Sequence, residues 1–389
     1  MTVRGADVVI IGAGTAGCVL ADRLSADGTR EVVLIEAGSS LPSEQSLSAD
    51  YISAIEVPGR MWPGDPQRAR GVGGGASVNG MVALFGPPAD YDRWAELGAA
   101  GWAWADIEAR AIVMSAEQYL PLETERNAVD RALFDAAGGA PQAKPAPLAW
   151  RDGCRYSAYE RHLAPARNRA NLELKGDTEV ARVLFAGSSA VGVACADGTT
   201  VESRNVFVAC GAHESPALLR RSGVGIARTP LQPLEHDSIT IPFTTSEAHA
   251  QRAPEFLSSV IAYREVRCEH LALQAIGLLR ATAGAISVGV FAAELGDAAA
   301  WVSELVRHPA LKQVIEEIGP VSHGVYSHAS STLPMPSHVD TDGRVIGVTG
   351  LWVADASVFP SLPLVNPMLT VMLVADVIAE RFVGTPVPN

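Results

Sequence analysis

The chain is short of charge, of basic residues and of cysteine. Asp, Glu, Lys and Arg make up 19% of its 389 residues and apolar residues 48%, a balance that excludes a disordered chain and implies a well-packed globular protein. Basic residues number 30 against 43 acidic ones, and the net charge of −13 argues against a nucleic-acid backbone or an anionic membrane as the main partner. The five cysteines (Cys18, Cys154, Cys195, Cys210, Cys268) are too scattered for a metal or redox motif. They read as small buried hydrophobes, no metal site is expected, and a reducing compartment fits. Every apolar run is broken by charge before membrane-spanning length, so no membrane span is expected. The N-terminus enters a strand with no leader-like segment, and the expectation is a cytoplasmic protein. Repeats and low-complexity tracts are absent too.

What is present is glycine at informative places. Residues 6–11 form a short β-branched run of the kind found in buried parallel strands, and 15–24 carry helical spacing. Residues 31–35 (EVVLI) read as a second buried strand, which completes a βαβ unit. Between the first strand and the helix lie Gly12, Gly14 and Gly17 in GxGxxG spacing. Gly12 permits the tight turn, Gly14 lets backbone approach a pyrophosphate, and Gly17 lets the helix pack closely on the sheet. Thr15 and Ala16 open the helix facing the phosphates. Glu36 ends the second strand, followed by Ala37, where a carboxylate can accept from an adenosine ribose. This unit alone suits NAD as well as FAD.

Residues 40–66 read as a polar loop, followed by a second glycine cluster at 71–81, and 100–150 are Ala-rich without a sharp pattern. Strands are expected at 172–174, 180–185, 190–195 and 206–209, with Ser215-Pro216 as an N-cap and first helical residue. After a proline-rich loop at 226, mixed signals include a helix over 298–318. Strands are expected at 345–346 and 351–353, and a final helix over 367–383.

Six segments in order resemble the GMC (glucose–methanol–choline) flavin oxidoreductases: ADVVIIGAGTAGCVLADRLS…VVLIEAG, ARGVGGGASVNGMV with PADYDRWAELGAAGW, GCRYSAYERHLAPARNRANLEL, TEVARVLF, CGAHESPALLRRSGVG, and VDTDGRVIGVTGLWVADASVFPSLP followed by NPMLTVMLVADVIAERF. The resemblance implies FAD as cofactor. It also implies an α/β fold, with a Rossmann-like FAD-binding domain of the GMC/glutathione-reductase type and a reduced α+β substrate-binding domain. The FAD-binding part would comprise 1–110, 151–225 and 340–389, and the shortened cap 111–150 and 226–339. Gly73, Gly74 and Gly75 would lie against the flavin, and Asn79, Gly80, Met81 and Val82 would offer donors and contacts to the pyrophosphate or ring. Some relatives bond a histidine just before that asparagine to the flavin. Val78 stands there in this chain, so the FAD is expected to be non-covalent. Val180 resembles the position whose backbone meets adenine, and Asp355-Ala356 the one that meets the phosphate and ribityl chain.

Oxidation of an alcohol by flavin needs a base for the hydroxyl proton while hydride leaves carbon. The resemblance places that base at His328 and its partner at Asn366. Histidine suits the role because its ordinary pKa of about 6.5 leaves it largely neutral at neutral pH. Asparagine cannot take the proton, so it would orient the oxygen. Pro367 and Met368 open the helix behind it, whose N-terminus would stabilise negative charge on reduced flavin. His323 is a rival for the base. The remaining histidines, His213 and His236 among them, have no comparable context.

The chain departs from the pattern in two places. Ser331-Thr332-Leu333 replaces the usual glycine-threonine-cysteine, and at best His236-Asp237 represents the DHP-like segment. The expected partners are a small-molecule alcohol and an electron acceptor, either oxygen or a redox carrier, with a protein partner open as a way to complete the shortened cap. A lyase with structural FAD and a flavoprotein with a vestigial site are the alternatives.

Overall fold

The computed structural model describes residues 3–225, 232–250, 256, 258–267 and 269–384. At its centre are five parallel strands in the order Leu351–Val353, Val206–Val208, Val8–Ile11, Val32–Ile35 and Leu172–Lys175. The first four are buried at every residue, which is why they read as unbroken β-branched runs rather than alternating ones. Helices Thr15–Ser25 and Met368–Gly384 pack against each other beside this sheet. Each fully buried Val, Leu or Ile contributes about 1.5–3 kcal/mol. The strands end at Ile11, Ile35, Val208 and Val353, so Gly12, Glu36, Ala209 and Asp355 all emerge at one edge of the sheet. A parallel sheet presents its ligand crevice at that edge. A smaller sheet of Val3–Gly5, Thr200–Glu202, Ser189–Cys195 and Val180–Ala186 lies alongside.

A seven-stranded sheet caps the crevice. Its main path runs Ile315–Ile318, Asp237–Thr245, Ala283–Val290, Glu269–Arg280, Val260–Val266 and Ala143–Pro145. Ser322–Val325 also pairs with Asp237–Thr245. Along Asp237–Thr245 the side chains alternate. Ile239, Ile241 and Phe243 join a core with Trp301, Val302 and Leu305 of the Leu295–Arg307 helix. Ser238 and Thr240 therefore face the other way, toward the crevice. Register carries that face across the sheet, since Thr240 pairs with Ser287, Ser287 with Ile276, and Ile276 with Ile261.

Several expectations are corrected. The helix over 298–318 stops at Arg307, because Pro309 forces His308 into an extended conformation (ψ 139°). A short Pro309–Lys312 turn and the strand Ile315–Ile318 follow. Residues 40–66 are not all loop: Ser43 and Asp50 cap the helices Glu44–Leu47 and Tyr51–Ile55, and Met61–Trp62 pairs with Asp65–Ala69. Val345 makes only a single bridge, to Val339, within a turn. Ser215 is no N-cap, since Ser215 and Pro216 sit inside the helix Gly211–Arg221. Cys154 is exposed, whereas Cys18 and Cys195 are buried. Cys268 and the proline-rich loop at 226–231 lie outside the described residues.

Candidate active site

One cavity of about 730 Å³ runs from the carboxyl edge of the parallel sheet to the polar face of the cap. Gly12, at φ +95°, turns the chain so tightly that a Cβ there would meet the Ala209 carbonyl oxygen at 2.6 Å. A Cβ on Gly17 would reach the Gly12 carbonyl at 1.8 Å, so this position packs helix on turn and lies behind the cavity wall. Gly14, Thr15 and Ala16 line the cavity. The two glycine loops then close on each other. The Gly73 amide donates to the Ala13 carbonyl at 2.8 Å, and a Cβ on Gly74 would come within 2.8 Å of Gly14 Cα. Gly74 lines the cavity, and Gly73 lies behind it.

Glu36, 7% exposed, fastens this assembly. Its Oε2 accepts from the Ala13 amide at 2.7 Å, and its Oε1 from the Gly38 and Gly71 amides, each at 2.9 Å. A carboxylate offers about four lone-pair positions, so one remains for a ligand hydroxyl. Ala37 beside it lines the same end.

In the second loop Asn79 accepts at Oδ1 from the Met81 amide (3.0 Å) and from Arg155 Nη1 (2.8 Å). Its Nδ2 points at Met368 Sδ, 3.3 Å away. Arg155 is itself buried, which pulls its guanidinium down to about 10. Arg60, also buried, holds the loop through the Val72 carbonyl and the Ser77 hydroxyl. Gly80, Met81, Val82, Val180, Asp355, Ala356, Pro367 and Met368 all line the cavity. Asp355 is saturated. Its Oδ2 accepts from the Gly211 amide (2.8 Å) and Ser215 hydroxyl (2.5 Å), and its Oδ1 from the Ser357 amide and hydroxyl (2.9 and 2.5 Å).

At the far end His328 and Asn366 meet, with Asn366 Nδ2 3.4 Å from His328 Nε2. The opposite edge of the ring is held by His236, whose Nδ1 is 2.9 Å from His328 Nδ1. Glu235 accepts the backbone amide of His328 and, at 3.3 Å, that of His236. Burial pushes the Glu235 carboxyl up to about 6 and His236 down to about 3. Burial, and then the neighbouring His236, hold His328 well below its ordinary value. Tyr326 lies beside His328 (ring centroids 5.5 Å), and its hydroxyl joins Ser287 Oγ at 2.9 Å. Gln274 donates to the Leu364 carbonyl at 2.8 Å, and among the described residues its buried Oε1 has no partner. His323 is on the exposed strand Ser322–Val325, away from this cluster.

Sequence reasoning thus brings His328, Asn366 and the glycine loops to one cavity. It misses Glu235, His236, Gln274 and Tyr326. His236 is 92 residues from His328, and its only sequence signal is the remnant of the DHP-like segment.

Two family models described as GMC oxidoreductase match the chain, the N-terminal one over residues 6–236 and the C-terminal one over 278–375. The chain belongs to the GMC oxidoreductase family. Human mitochondrial choline dehydrogenase is 33% identical over 274 residues, covering 56% of this chain and 46% of that protein. The 5-(hydroxymethyl)furfural oxidase of Methylovorus sp. (strain MP688) is 32% identical over 289 residues, covering 57% and 52%. This chain spans about half the length of the curated relatives it matches. Among solved structures, a pyridoxine 4-oxidase from Mesorbium loti superposes with a TM-score of 0.81 at 20% identity, covering 98% of this chain and 100% of that one. Formate oxidase superposes equally well at 15% identity. These two show the fold.

GMC oxidoreductases bind FAD, and the residues present fit it. Gly14 brings no side chain to cap the Thr15–Ser25 helix, so the helix N-terminus faces the cavity as a pyrophosphate site. The remaining lone-pair position of Glu36 suits a ribose hydroxyl, and the N-terminus of Met368–Gly384 suits an anionic ring edge. Among the described residues no His/Cys/Asp/Glu cluster could hold a metal, and no helix is long and apolar enough to cross a membrane.

Proposed function

We propose that this chain oxidises an alcohol with non-covalently held FAD, His328 serving as base and Asn366 orienting the substrate oxygen. The observation that carries this reading is the single cavity joining the glycine loops and Glu36 at one end to the His328–Asn366 pair at the other. When bound there, FAD supplies the acceptor for hydride leaving the alcohol carbon. Gly12, Gly14 and Glu36 would hold its nucleotide half, and Asn79, Asp355 and Pro367 surround the part nearer the cap. Val78 lines the cavity with an aliphatic side chain that cannot form a covalent bond to the ring.

His328 takes the hydroxyl proton at the ring edge facing the cavity. The Asn366 amide beside it donates to the same oxygen as negative charge develops. Ile261, Ile276 and Phe291 line the substrate end and exclude water, while Ser238, Thr240 and Ser287 offer hydroxyls. Glu235 is the only carboxylate or cation that the described residues 235–325 bring to the lining. Among the described residues an anionic substrate therefore finds no counter-charge on the cap side, whereas Gln274 Oε1 can accept from a hydroxyl or ammonium. The substrate class that fits is an uncharged or cationic alcohol.

The test is an absorbance spectrum of purified protein, then anaerobic titration with choline, 5-hydroxymethylfurfural, pyridoxine, benzyl alcohol and, as an anion, glycolate. Bleaching of the flavin by a neutral or cationic alcohol, abolished in His328→Ala, is the expected result. FAD that no alcohol bleaches would refute the reading, and turnover with the flavin still oxidised would indicate a lyase. Reoxidation in air against a soluble redox carrier then separates oxidase from dehydrogenase.

A further inference from the structure

His236 and His328 meet through the same atom of each ring, Nδ1 to Nδ1, with the rings at 88°. Two such nitrogens 2.9 Å apart share one proton, so one ring donates and the other accepts. Asn366 Nδ2 can only donate, so His328 Nε2, 3.4 Å from it, is the acceptor, and His328 carries its proton on Nδ1. Nδ1 of His236 then accepts from His328 Nδ1, and His236 carries its own proton on Nε2. Nε2 of His328 is left with a lone pair, directed to the Asn366 amide and the cavity.

We propose that His236 is a positioning residue that fixes the tautomer of His328, so that the nitrogen facing the substrate is the unprotonated one. This rests on the reading of His328 as the base. Free histidine favours the proton on Nε2, the form that would turn an N–H toward the alcohol and leave no base there. The contact with His236 reverses that preference. A protonated His236 would set two N–H groups against each other, and burial among Phe291 and the cap strands holds it neutral. The same contact survives the reaction, because a His328 that has gained a proton at Nε2 still donates from Nδ1 to His236. The other groups around the pair are Glu235, whose carboxyl takes the two backbone amides, and Tyr326, whose hydroxyl is turned to Ser287. Neither competes for His328 Nδ1.

The experiment labels the FAD-loaded protein with ¹⁵N-histidine and reads the ring nitrogens by long-range ¹H–¹⁵N spectroscopy at pH 7, assigning His328 by the signals lost in His328→Gln. A protonated Nδ1 and bare Nε2 are expected. In His236→Leu the tautomer reverts, and flavin reduction by the alcohol that bleaches the wild type fastest slows by about 10²–10⁴-fold, with KM little changed. In His236→Gln the side-chain carbonyl again accepts from Nδ1, restoring the tautomer and bringing the rate within about tenfold of wild type. Each variant is first checked for bound FAD by its spectrum. If His236→Leu does not hold FAD, the wild-type and His236→Gln spectra decide. A wild-type His328 protonated on Nε2, or His236→Leu unchanged in tautomer and rate, overturns the proposal. If no alcohol reduces the wild-type flavin, the alcohol reading falls, while the tautomer in the spectrum still decides the role of His236.

Discussion

Glu36 is the position where structure and ligand binding are hardest to separate, and Glu36→Gln separates them. The carboxylate holds three backbone amides, from Ala13, Gly38 and Gly71. A glutamine keeps one oxygen, which can continue to accept from Gly38 and Gly71. Its amide group then faces the Ala13 N–H, donor against donor. The loss is one charge-assisted bond and one buried N–H left without an acceptor, about 2–4 kcal/mol. At about 2.1 cal/mol/K per residue, 389 residues give an unfolding entropy of about 0.8 kcal/mol/K, so the melting temperature falls by about 2–5 °C. The assay is differential scanning calorimetry of the FAD-free protein, with FAD titration alongside. A residue that serves only the ribose would weaken FAD binding and leave the FAD-free melting temperature where it was. An unchanged melting temperature within about 1 °C would refute the argument that Glu36 fastens the two glycine loops.

Gly17→Ala drives a methyl into the Gly12 carbonyl, so it shifts the helix off its turn and abolishes FAD retention on gel filtration, whereas Gly75→Ala, which meets nothing within 4 Å, keeps the fold. Denaturing precipitation of the yellow protein is expected to release all of its flavin to the supernatant, given the aliphatic Val78 beside Asn79; flavin remaining with the pellet counts against non-covalent attachment. Buried Asp130 is raised from 3.8 to about 7 by burial, against hydrogen bonds from Ser259. Because the folded state holds this proton more tightly, unfolding releases it between those values, and the stability Asp130 contributes is full below about pH 4 and lost as pH rises to about 7. Asp130→Asn removes that slope from denaturation curves recorded at pH 4.5, 6 and 7.5. A wild type and variant with parallel pH profiles would rule it out.

What could be read from the sequence is what is local in the chain. The turn at Gly12, the helix at Thr15 and the acid at Glu36 lie within one βαβ unit, so strand period, glycine and carboxylate report on one another. Asn366-Pro367 before an apolar helix is legible for the same reason. The cap sheet was not, because strands such as Glu269–Arg280 and Ala283–Val290 are buried in runs without a regular period, and the partners of Asp237–Thr245 lie as far on as Ser322–Val325. Ser215-Pro216 shows how a local rule can point wrongly. Proline at 216 removes the N–H that would bond the Ala212 carbonyl one turn earlier, which argues for a helix starting there. In the fold Thr332, 120 residues away, donates its hydroxyl to that carbonyl at 2.7 Å, and Ser215 turns its own hydroxyl to Asp355. The helix can therefore begin at Gly211 and carry a proline in its interior. Thr332 and Asp355 belong to the C-terminal part of the chain, as His328 and Asn366 do. The same long-range packing that hides the helix start is what ties the end of the parallel sheet to the segment bearing the candidate base.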